Sequence, residues 1–349
     1  MRFGLFCSPK ADVPGFGPET GRGFFEFLDF NVEAEALGVH SSFSVEHHFS
    51  GWNQVSSTLM LLAALAMRTT TLRLGTAVIV PPWHNPVLLA EEAATLDLLS
   101  RGRLDLGVGK GYRHSEFKGF QIAPEEAEAR FEEALEVMIR AWTTRERFSH
   151  KGRFWHFEDI IVEPPPAQSP HPPLWVAGTS QSTFASAARA GLGVLGFTAV
   201  PPEELAPVVA AYRAAQAEAN PADFYGVTPN FQVAAFLTAY CDTDDRRGQA
   251  IGGAATRWYL GDNEAPLNRV RFPPDFDRSR FTKYTDDALV RDRMMVGGDP
   301  DTCSRVVEGW LQIGVDQLIL MVQAGETTHD QVMRAIELLG TKVLPRFQD

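Results

Sequence analysis

An acidic chain of 349 residues with a formal net charge of −12 repels nucleic acid and anionic lipid, so neither is expected as a partner. Its longest apolar runs, such as "LMLLAALAM" at 59–67, are far too short to span a bilayer. Three widely spaced cysteines (Cys7, Cys241 and Cys303) with no CxxC argue against a disulfide framework or zinc knuckle, and with a first segment that reads as a strand rather than a signal peptide the expected compartment is the cytoplasm.

Strands and helices alternate along the chain. A strand at 2–7 precedes a helix at 24–37 that stops at Gly38. Next come a strand at 40–45, a helix at 57–67, and a strand at 72–80 with two prolines just past its end. A helix at 86–99 and a strand at 103–109 follow, then a long charged helix from Pro124 to about Arg145. The Pro- and aromatic-rich stretch 146–173 interrupts the rhythm. It resumes with a strand at 174–178, a helix at 181–190, a strand at 193–197, a helix at 203–219, a strand at 231–241 and a helix at 244–258. After a second irregular stretch, 260–290, the chain closes with a helix at 299–312, a strand at 317–322 and a helix at 328–340.

The strands are apolar throughout, as when both faces are buried, and repeated strand–helix units imply a parallel sheet. Eight units over this length predict an α/β fold, a (β/α)8 TIM barrel. The whole of 1–349 reads as one domain, with insertions at about 146–173 and 260–290. In such barrels chemistry sits where strands end. "EHH" (46–48), "PPWHNP" (81–86), "KGYRHSEF" (110–117) and "GTSQST" (178–183) all fall there and gather at one mouth.

Glu46, His47 and His48 admit three readings: a metal site, a proton-transfer site or a hydrogen-bonded structural cluster. Adjacent strand residues point to opposite faces, and neither HxH nor HExxH occurs, which weakens the metal reading. "GVGKG" (107–111) fails as a dinucleotide loop because Tyr112 stands where GxGxxG needs glycine. Its glycines keep the mouth uncluttered for a flat ligand, and Lys110 offers charge to a phosphate. Arg130, among acidic neighbours on a helix, is explained by an i,i+4 salt bridge. Ser180 and its neighbours read either as a plain N-cap or as an anion site at a helix start. Gly75-Thr76 in an apolar strand permits close approach by a ligand. His84 and His114 read as surface or turn residues, and the aromatics of 146–158 as a packed β-hairpin.

The segments "EHHF", "GTAVIVPPWHNPVLLAEEAATLDLLSRGRLDLGVGKGY", "ARFEEALEVM", "PPLWVAGTSQSTFASAARAGLG" and "GDPDTCSRVVEGWLQIGVDQLIL", in that order, resemble the bacterial luciferase-like flavin monooxygenases. The resemblance implies a (β/α)8 barrel that uses reduced FMN from a separate NAD(P)H:flavin reductase. Oxygen then forms a C4a-hydroperoxide that is directed at a small organic substrate. It assigns proton handling to His47, with Glu46 and His48 setting its orientation and tautomer. It places flavin contacts at Thr76 and Ala77, with a non-proline cis peptide at Ala77–Val78, and at Tyr112, Val176 and Ala177. The phosphate falls to Lys110 (arginine in luciferase itself), Arg130, Gly178, Thr179 and Ser180. No metal is implied; a homodimer is. The stretch 260–290 would be a lid. Competing readings are a relative that transfers hydride to a deazaflavin coenzyme without oxygen, and a non-catalytic flavin-binding protein.

Overall fold

The computed structural model describes residues 1–12, 19–49, 55–197, 200–260 and 284–347. Most of the expected lid at 260–290, and part of the loop after "EHHF", lie outside these described residues.

The chain begins with β1 (Arg2–Phe6), α1 (Arg22–Ala36), β2 (Ser41–Ser44), α2 (Thr58–Ala66), β3 (Arg73–Thr76), α3 (Pro86–Leu99) and β4 (Leu104–Val108). After α4 (His114–Phe120) and α5 (Ala127–Thr143), β5 (Phe148–Lys151) and β6 (His156–Ile160) form the expected antiparallel hairpin. The barrel resumes with β7 (Leu174–Gly178), α6 (Gln181–Arg189), β8 (Gly193–Phe197), α7 (Pro202–Ala217), β9 (Val233–Cys241) and α8 (Asp245–Leu260). The remaining elements are α9 (Asp286–Arg291), β10 (Met295–Gly298), α10 (Pro300–Leu311), β11 (Gln317–Met321) and α11 (His329–Leu338).

Eight strands pair in parallel in the ring β1-β2-β3-β4-β7-β8-β9-β11, and β11 returns to β1, so the sheet is a closed TIM barrel as expected. A ninth strand, β10, is an addition the sequence reading missed. It pairs with the second half of β9, Met295 opposite Thr238 through Gly298 opposite Cys241. Four residues with two glycines leave too short an apolar run to read as a strand. β9 is buried at all nine positions, as a strand covered on both faces must be.

Helix ends follow local chemistry. Asn85 caps α3, accepting from the N–H groups of Val87 and Leu88, and Pro86 occupies the first helical position, where no N–H is needed. Thr328 and Gln331 form a reciprocal capping box on α11. No helix among the described residues is long and apolar enough to cross a membrane.

The core has two layers. The larger lies between sheet and helices. A smaller one fills the barrel with Phe43, Trp175, Leu195, Ala234, Phe236 and Ile319, and Phe43 meets Trp175 edge-on at 5.9 Å. Gly75 serves this packing: a Cβ there would sit 2.1 Å from the Phe43 ring. The space beside Gly75 therefore belongs to Phe43, not to a ligand. β3 ends at Thr76, shorter than the predicted 72–80, and the Ala77–Val78 peptide that follows is cis, as the resemblance implied. The chain bridges to β4 again at Ile79, opposite Val108.

Candidate active site

Past the end of β2 the chain continues as Val45-Glu46-His47-His48, and extended backbone sends successive side chains to opposite sides. His47 faces the barrel mouth, where its ring lines a cavity of about 300 Å³. His48 turns the other way, against Phe120, with ring centroids 4.8 Å apart.

Two buried carboxylates organise the pair. Glu46 accepts from His48 Nε2 at 2.9 Å and from His84 Nε2 at 2.7 Å on one oxygen, and from the Val80 N–H at 2.6 Å on the other. Glu116, on α4, accepts from His47 Nδ1 at 3.1 Å and from the His48 N–H at 2.9 Å. The carboxylate that orients His47 is therefore Glu116, where the sequence reading expected Glu46. His48 links the two, giving its ring N–H to Glu46 and its backbone N–H to Glu116. His84, read as a surface or turn histidine, belongs to this network and is corrected accordingly.

Burial pushes the Glu46 carboxyl upward, but the donations from His48, His84 and the Val80 N–H outweigh it and hold the group below its ordinary value. For His84, burial disfavours the cation, yet the hydrogen bond and charge of Glu46 prevail and raise its pKa.

Glu116 is the important omission. The "HSEF" run does carry a signal, since Phe117 and Phe120 stand three positions apart and anchor a short helix. Trp83 packs edge-on against Phe117 at 4.7 Å and stacks on Phe120 at 5.4 Å, and this aromatic wall presses α4 onto the histidines.

The predicted flavin residues lie on neighbouring strand ends. Thr76, Ala77 and Val78 close β3, Lys110 and Tyr112 follow β4, and Val176 to Ser180 lead from β7 into α6. The Thr76 hydroxyl is buried and donates to the Gly107 carbonyl at 2.7 Å. Ala77 and Val78 pack on the barrel-interior core. Gly109, expected to keep the mouth uncluttered for a ligand, instead makes room for Val78: a Cβ on Gly109 would come within 2.6 Å of Val78 Cγ2. Lys110 is exposed and paired with Glu128. Arg130 pairs with Glu126 at 2.9 Å, the i,i+4 partner expected of it, and its guanidinium also sits 4.3 Å from the Phe154 ring centroid. Ser180 caps α6 by accepting from the Thr183 N–H at 3.2 Å. Thr179 and Ser180 are exposed, and the first N–H groups of α6 have no intrahelical acceptor, as at any helix start.

The cavity lies on the other side of His47, at the ends of β1, β2 and β11 and against the last turn of α8. Tyr112 connects the two halves: its ring lines the cavity and meets His47 edge-on at 6.1 Å. Among the described residues, no group of three or more His, Cys, Asp or Glu side chains is arranged to hold a metal ion. What this arrangement offers chemically is a positioned histidine between a cavity with aromatic and charged walls and a shelf made by the ends of β3, β4 and β7.

The profile of the luciferase-like monooxygenase family matches residues 1–317. The chain belongs to this family. It is 28% identical to the 4-hydroxyprotoasukamycin monooxygenase of Streptomyces nodosus subsp. asukaensis, across 99% of this chain and 92% of that protein. It superposes on the crystal structure of monooxygenase RslO1 from Streptomyces bottropensis with a TM-score of 0.82 and 29% identity, covering 100% of both chains. The family also reaches into deazaflavin chemistry. An F420-dependent glucose-6-phosphate dehydrogenase from Segniliparus rotundus is 26% identical across 97% of each protein. Membership therefore establishes an oxidoreductase scaffold of the FMN or F420 type.

Proposed function

We propose that this protein, one catalytic domain over 1–349, is the oxygenase of a two-component system. It would use reduced FMN and O2 to oxidise a small organic substrate, with the flavin delivered by a separate NAD(P)H:flavin reductase. The observation that carries the reading is His47, held by a buried carboxylate on the wall between the cavity and the shelf. A flat cofactor would lie on the shelf formed by the ends of β3, β4 and β7, with Lys110, Arg130 and the start of α6 offering positive charge to its phosphate. The ring would rest over Ala77–Val78, and the phosphate would compete with Glu128 and Glu126 for the two cations.

Reduced FMN, when bound, supplies the electrons that activate O2. The protein's part is positioning, water exclusion and proton handling. A carboxylate at Nδ1 favours the tautomer protonated there and assigns proton exchange to His47 Nε2. Phe6, Met321 and Trp258 give the cavity apolar walls that keep water from the reacting atoms.

The F420-dependent relatives support a second reading, hydride transfer to a deazaflavin without oxygen. Anaerobic titration with reduced FMN, followed by mixing with oxygenated buffer, separates the two. Tight binding and reoxidation much slower than that of free reduced FMN is the expected result. No binding of reduced FMN, with reduction of F420 instead, would establish the second reading.

A further inference from the structure

The cavity beside His47 contains a cation that no carboxylate among the described residues neutralises. Arg113 is only 3% exposed. Its Nε donates to the Tyr112 hydroxyl at 3.3 Å, and its guanidinium carbon lies 5.7 Å from the Tyr112 ring centroid. Nη1 is buried and has no acceptor. The other two cations lining the cavity are satisfied: Lys10 donates to the Thr327 carbonyl at 3.3 Å, and Arg22 pairs with Asp12 at 3.4 Å.

Guanidinium cannot shed its proton to escape burial, so an unpaired one is costly to keep dry. A ligand that brings negative charge removes that cost. Gln323, at the end of β11, adds a second unmet demand in the same cavity: its Oε1 is buried without a donor. Charge points the same way. Three cations (Lys10, Arg22, Arg113) face two carboxylates (Asp12, Glu326), which makes the lining net positive in a chain that is net negative overall. Phe6, Trp258 and Tyr259 provide the flat apolar walls that suit an aromatic body.

We propose that Arg113 is a substrate-recognition residue and that the substrate is an aromatic acid. Its carboxylate pairs with the guanidinium, and a ring hydroxyl or amine donates to Gln323. This rests on the cavity being the substrate compartment of the proposed oxidation. The flavin phosphate is the other anion at hand, but its candidate partners Lys110, Arg130, Thr179 and Ser180 do not line this cavity, whereas Arg113 does.

Isothermal titration of the flavin-free protein with 2-naphthoate and 2-naphthamide tests the assignment. The carboxylate should bind roughly ten- to a hundred-fold more tightly than the amide, the range for a hydrogen bond to a charged group. Arg113→Met should erase that preference and raise Tm, because it removes an unpaired buried charge. Arg113→Lys, which keeps charge but loses the planar fork, should reduce the preference and remain informative if the methionine variant does not fold. Equal affinities in the wild type, no binding of either probe, or a preference that survives both substitutions would overturn the proposal. So would an Arg113→Met variant that loosens FMN and leaves the naphthoate preference intact, since the guanidinium would then serve the flavin. Neither flavin nor oxygen enters the probe titrations, so failure of the monooxygenase reading registers separately, in the reoxidation rate.

Discussion

His47 and Glu116 stand 69 positions apart in the chain and meet at 3.1 Å, imidazole Nδ1 to carboxylate Oε1. Because Glu116 also receives the His48 N–H, it is fixed from a second direction and cannot swing away from the ring. His47→Ala should leave reduced-flavin binding nearly unchanged and cut turnover by roughly 10²- to 10⁴-fold, the usual worth of a positioned acid–base group. Glu116→Gln keeps an acceptor at the site but loses the charge. Its kcat should fall between wild type and His47→Ala, with KM little altered. Steady-state kinetics on both variants checks this, and unchanged turnover in His47→Ala would remove the histidine from the chemistry.

The Glu46 cluster predicts a pH window for stability. The folded pKa of Glu46 lies below its ordinary 4.5, so its contribution is present above 4.5 and is lost as pH falls through that lowered value. The folded pKa of His84 lies above its ordinary 6.5, so its contribution is complete below 6.5 and is lost as pH rises through that raised value. The Tm difference between wild type and Glu46→Ala should therefore be largest between about 4.5 and 6.5 and shrink on either side. Within that window Glu46→Ala should cost roughly 3–5 kcal/mol, typical of breaking a buried charged network. A difference that stays constant across pH would contradict the linkage.

The barrel was legible because its strands are unbroken apolar runs, buried on both faces, and because Gly38 and Asn85 mark helix ends with their own chemistry. The site was legible only in part. "EHH" announces itself, since a strand that merely packs has no use for a carboxylate and two imidazoles at its end. The partner of His47 did not, because Glu116 lies on a seven-residue helix whose existence depends on Phe117 and Phe120 meeting Trp83, a contact between distant segments. His84 likewise looks idle until the fold brings it to Glu46. Arg113 gives no local sign of burial, which is a property of the cavity around it. Gly75 misled for the same reason: its neighbour is Phe43, on another strand.

The phosphate assignment can be tested by comparing two ligands that differ only in that group. Arg130 is held by Glu126 and stacks on Phe154. If it also binds phosphate, Arg130→Ala should weaken FMN by roughly ten- to a hundred-fold and leave riboflavin unchanged. Lys110→Met should act in the same direction and by less, since Lys110 is exposed and its charge is screened by solvent. Equal losses for FMN and riboflavin would reduce Arg130 to its salt bridge and its ring contact.

For the homodimer that the sequence resemblance implies, we propose a face on α2. Met60 and Met67 are seven positions apart, on one side of the helix, and stay 73% and 70% exposed. Leu88 on the adjoining α3 is 57% exposed. Burying a methionine contributes about 1.5–3 kcal/mol, so two of them, each counted once per subunit, are enough to matter for association. Sedimentation velocity should find a dimer for the wild type. Met60→Glu with Met67→Glu places carboxylates on the buried face and should weaken dimerisation by at least about 100-fold, equivalent to ~3 kcal/mol. A wild type that sediments as a monomer would end the dimer proposal. A variant that remains dimeric would move the interface away from α2.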